Sequence, residues 1–149
     1  MRLFFAIRFT PPAVLMEEII QLLHSYSRFR SAVLRSLDIA SLSKTDFARI
    51  TGLEANSKYR RQMNPSLWKP VELHQLGIEL GLIDGKSFKL AELAILIDKL
   101  PAPLRKSVCR YSLLTNGKLQ QRIQAPESWQ PYEVDKVLYF LETMPAAVY

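Results

Sequence analysis

The amino-acid sequence predicts an all-α chain, and three observations carry that expectation. Strand-like alternation of polar and apolar residues is rare along the 149 residues, whereas apolar residues recur three and four apart. Glycine is scarce, at five residues. Both tryptophans sit in one recurring motif that stops a helix and restarts the next. Hydrophobic residues make up 48% of the chain, enough for a packed core. The expected organisation is an N-terminal arm and helix over residues 1–26, then two helical modules over 27–87 and 88–149.

Residues 3–9 read as a short strand or an apolar arm. They are too brief, and Arg8 interrupts them too early, for a secretory leader. Thr10-Pro11-Pro12 opens a helix whose Leu15, Ile19, Leu22, Leu23 and Tyr26 share one face. Two readings of that face stay open: packing on the following module, or pairing of two copies in a homodimer. Residues 28–37 read as a further helix with Ala32, Val33 and Leu37 inward.

The next helix is expected over Lys44–Thr51. Ser43 is its N-cap, and Asp46 lies in its first turn, where a carboxylate suits the helix dipole. Phe47 and Ile50 share its buried face, and Gly52 supplies the positive φ of a sharp exit. A second short helix follows over 56–63, capped by Asn56 or Ser57, with Tyr59 and Met63 as its inward stripe. Ser57, Lys58, Arg60, Arg61 and Gln62 are then left outward, and Pro65 ends the helix. A third helix opens at Pro70, a good first helical residue, and carries Val71, Leu73, Leu76, Ile78 and Leu80 towards a core.

From Lys58 through Val71 the chain holds four basic residues and no acidic one. Arginine bonds guanine bidentately, glutamine reads adenine and lysine holds phosphates, so this helix face suits a duplex groove. A solvated basic face is the plainer alternative.

The motif Pro65-x-x-Trp68-x-Pro70-x-Glu72 returns as Pro126-x-x-Trp129-x-Pro131-x-Glu133, 61 residues on. At the same offset Arg49 matches Arg110, Leu53 matches Leu114 and Leu80 matches Leu141. Asp84-Gly85-Lys86-Ser87 is the expected linker, short and polar. The second module then opens with a helix carrying Ala91, Leu93, Ala94, Leu96, Ile97 and Leu100. Residues 103–111 correspond to the first helix of the pair. Residues 117–124 correspond to the basic helix, with Leu119 and Ile123 inward and Lys118, Gln120, Gln121 and Arg122 outward. Residues 133–142 close the module.

Ala48, Gly52 and the apolar residue beyond them, with Leu73-x-x-Leu76-x-x-x-Leu80-Gly81-Leu82, resemble the Cro- and phage-repressor-like (lambda-repressor-like) helix-turn-helix family. The resemblance covers about 40 residues and differs from the family in three places. Gly77 stands where the family has alanine, Tyr59 falls seven rather than six residues after Gly52, and Leu113 replaces the turn glycine in the second copy. It implies two tandem helix-turn-helix modules and sequence-specific binding of double-stranded DNA. The implied role is a transcriptional regulator, a repressor of phage or mobile-element type, in a bacterial cytoplasm. The residues implied at the duplex are Lys44, Thr45, Asn56, Ser57, Lys58, Arg60, Arg61 and Gln62, with Lys118, Gln121 and Arg122 in the second copy.

A net charge of +6 favours a polyanionic partner. Residues 27–87 hold ten basic and six acidic residues and residues 88–149 hold eight and six, so the first module is the stronger candidate reader. One cysteine, Cys109, excludes an intrachain disulfide and fits a reducing compartment. It takes the place of Ala48, as a core residue rather than a nucleophile. The two histidines, His24 and His74, lie far apart with no ligand-spaced partners and read as helix-surface residues. No catalytic constellation, cofactor motif or membrane-span-length apolar run is present, so an enzyme is not expected. The rival expectation is a helical adaptor or antitoxin-like protein whose basic face binds an acidic protein partner.

Overall fold

The computed structural model describes residues 11–83 and 88–144. The expected arm at 3–9 and the linker at 84–87 lie outside the described residues. Among the described residues there are eight α-helices and no strand. In chain order they are α1 (Pro12–Leu37), α2 (Lys44–Thr51), α3 (Ser57–Met63), α4 (Pro70–Glu79), α5 (Leu93–Asp98), α6 (Ala102–Tyr111), α7 (Asn116–Gln124) and α8 (Pro131–Thr143).

The two helices expected before residue 38 are one. α1 runs unbroken for 26 residues, about 39 Å at 1.5 Å per residue. Its buried stripe continues from Leu15, Met16, Ile19 and Leu23 through Tyr26, Phe29, Val33 and Leu37. It ends at Asp38, whose left-handed backbone (φ 47°) lets its N–H donate to the Leu34 carbonyl. α1 packs against α4, α5 and α8, so one helix serves the cores of both halves.

Ser43 caps α2 by accepting the Asp46 N–H at 3.0 Å, and Thr115 caps α7 by accepting that of Lys118 at 3.1 Å, but the two caps are not equivalent, because Thr115 matches Glu54 before α3. Other local devices are shared by the two repeats. Gly52 leaves α2 at φ 73°, and its counterpart Leu113 takes the same left-handed turn at φ 60°. Pro65–Leu67 and Pro126–Ser128 are single 3-10 turns, each followed by a completely buried indole, Trp68 and Trp129. Phe47 of the first repeat and Val108 of the second are both fully buried at equivalent places.

The halves meet reciprocally. The Pro65–Leu67 turn packs on α8, and the equivalent Pro126–Ser128 turn packs on α4. Two polar contacts tie α1 to α8: Arg30 Nη1 donates to Asp135 Oδ1 at 3.1 Å, and His24 Nε2 lies 2.6 Å from Glu142 Oε2.

Candidate nucleic-acid interface

α3 has a polar inward stripe. Ser57, Lys58 and Arg61 are half-buried, while Tyr59, Arg60, Gln62 and Met63 are exposed. The expected anchors are therefore corrected: Tyr59 is 68% exposed and Met63 64%. In α7 the inward positions hold Leu119, Arg122 and Ile123, and Leu119 corresponds to Lys58. Lys58 falls six residues after Gly52, so the position six beyond the turn faces inward in both repeats.

Arg61 is likewise turned inward, not outward. Its guanidinium pairs with the Glu72 carboxylate, donates to the Leu67 carbonyl at 3.3 Å and lies 5.0 Å from the Trp68 ring centre. Glu72 also accepts the Lys69 backbone N–H at 2.9 Å, so one carboxylate holds the arginine and closes the first turn of α4.

Arg122 repeats this in a drier setting. It donates through Nε and Nη2 to Glu133 at 2.9 and 2.7 Å, a bidentate pair, and lies 6.0 Å from the Trp129 ring centre. Glu133 is fully buried and takes the Gln130 backbone N–H at 3.0 Å. Arg122 is therefore also corrected, from an outward contact to a buried strut. The signal was present in the sequence: Arg61 and Arg122 stand seven residues before each tryptophan, at the same 61-residue offset.

The remaining candidates divide by exposure. Lys44 and Thr45 are exposed at the start of α2, and Asn56, Arg60 and Gln62 are exposed at and along α3. Ser57 is half-buried, and its hydroxyl donates to the Glu54 carbonyl at 2.7 Å rather than capping the helix. Neither Asn56 nor Ser57 caps α3 through its side chain. Lys118 is half-buried, and Gln121 is exposed but accepts a hydrogen bond from Arg122 at 3.1 Å. No carboxylate lies within 4.0 Å of Lys44, Lys58 or Arg60 among the described residues.

His74 lies edge-on to Phe88 at 5.2 Å, and its Nδ1 is buried without a partner among the described residues. Burial pushes its imidazole below the ordinary value. The Cys109 thiol is half-buried and pushed up, mainly by burial. No helix among the described residues is long and apolar enough to cross a membrane.

No protein-family model, curated protein or solved structure matches the chain.

Proposed function

We propose that this protein binds double-stranded DNA through the outer face of α3 and the start of α2, and that it regulates transcription as a repressor of phage or mobile-element type. One observation carries the reading: Arg60 and Gln62 stand exposed on one short helix, with no carboxylate within ion-pair distance of Arg60 among the described residues. Arg60 supplies a donor fork for guanine, Gln62 an amide for adenine, and Lys44 and Thr45 donors for phosphate. Arg61 and Arg122 are withdrawn from the DNA-facing residues, because their charges serve the fold. The test is duplex binding across a salt series, with random-sequence selection to find the preferred site. Affinity falls log-linearly with salt through counterion release if the reading holds. Absence of any duplex complex at low salt overturns it.

A second reading rests on Tyr59 and Met63, an apolar pair four apart and mostly exposed on the same helix. Such a pair beside Arg60 suits the adaptor alternative, in which the face docks an acidic protein. That alternative gives no duplex complex at low salt. Light scattering on the full chain tests pairing of two copies, and a monomer removes the homodimer.

A further inference from the structure

Arg60 also borders a cleft of about 530 Å³ at the seam between the repeats. The first repeat contributes Arg60, Leu67 and Lys69, and the second contributes Pro131, Tyr132 and Lys136. Two further charges at the rim are already engaged: Arg61 by Glu72, and Asp135 by Arg30. Arg60, Lys69 and Lys136 have no carboxylate within 4.0 Å among the described residues. Lys136 Nζ instead lies 5.3 Å from the Tyr111 ring centre. The cleft thus gathers from two repeats three cations that lack an ion-pair partner, and Asp135, its one acidic liner among the described residues, is already paired. The Tyr132 ring is 44% exposed on one wall.

We infer that this seam is a phosphate-binding cleft that grips the backbone of the duplex facing α3. The inference rests on the DNA-binding reading and adds a site to it. Arg60 belongs to both surfaces, so a duplex lying along α3 passes the mouth of the cleft. Lys69 and Lys136 then close on a phosphodiester from opposite repeats. Point charges on flexible stems hold phosphate without reading sequence.

The experiment measures duplex affinity against salt for the full-length wild type, a Lys69→Gln/Lys136→Gln double variant and a Lys69→Arg/Lys136→Arg variant. Circular dichroism verifies the fold of each. Neither lysine side chain is buried, so folding should survive. In the glutamine variant the log–log salt slope becomes shallower by about 1 for each phosphate no longer neutralised, with site preference unchanged. The arginine variant keeps the wild-type slope. A wild type that binds duplex while the glutamine variant keeps its slope overturns the cleft alone. A wild type that binds no duplex overturns the DNA-binding reading and the cleft with it. Inorganic phosphate is added as a competitor. Weakened duplex binding in the wild type only, at constant ionic strength, supports the site, and equal effects on wild type and glutamine variant overturn it.

Discussion

The ring of Phe29 fills the space that a Cβ on Gly77 would need: its Cζ lies 2.6 Å from that position and its Cε1 2.8 Å. Gly77 is helical, with no unusual φ, so the residue is set by this close approach of α1 to α4 rather than by backbone freedom. Gly77→Ala gains about 1 kcal/mol of helix propensity but overpacks the crossing by about 1–3 kcal/mol. The expected net is destabilisation, read as a lower urea midpoint. In a Phe29→Leu background the penalty shrinks.

Arg122→Ala strands the Glu133 carboxylate in a dry site. The expected cost is about 3–5 kcal/mol by chemical denaturation. Arg61→Ala costs less, because the side chains of Arg61 and Glu72 keep 14% and 18% of their surface in water. Replacing Arg122 and Glu133 together by apolar residues of similar volume costs far less than Arg122→Ala alone. Equal losses for Arg61→Ala and Arg122→Ala would contradict the difference in burial.

Leu113 holds a left-handed backbone with its side chain 60% exposed. The strain has little packing to offset it. Leu113→Gly should stabilise by about 1 kcal/mol, and Gly52→Ala should destabilise by about as much. Thermal melts of the two variants should move in opposite directions.

His74 gives a pH dependence whose sign follows from its depressed folded pKa. The unfolded chain binds its proton near the ordinary value of about 6.5, before the folded chain does. The contribution to stability is therefore present above that value and lost as pH falls through the folded pKa. Between pH 7.5 and 5.5 the urea midpoint of the wild type should fall more than that of His74→Leu.

Arg60→Ala should cost about 1–3 kcal/mol of duplex affinity and relax base preference at one position if the guanidinium reads guanine. Equal weakening on every sequence would instead assign Arg60 to phosphate. Arg61→Ala, once its stability loss is allowed for, should leave base preference unchanged.

Features with strong local causes were readable in the sequence. The Ser43 cap, the Gly52 exit and the Pro–Trp–Pro corners each depend on a few adjacent residues, and all stand where expected. The inward face of α3 was not readable from apolar periodicity, which selects Tyr59 and Met63; only the return of Arg61 as Arg122 at the 61-residue offset marked it. The stripe that turns inward is Ser57, Lys58 and Arg61, held by an ion pair and an indole from beyond the helix. The continuity of α1 was hidden for a similar reason: polar Ser27 and Arg28 interrupt the apolar pattern but fall on its outer side, between buried Tyr26 and Phe29. The seam cleft joins residues more than sixty positions apart, which no local pattern reports.

The exchange of turn for helix across the seam is the contact two identical subunits make about a twofold axis. Joining such subunits in one polypeptide makes their association intramolecular, at an effective concentration set by the short connection. The paired arrangement then persists on dilution, even at a few molecules per cell, where a separable pair of single units would fall apart.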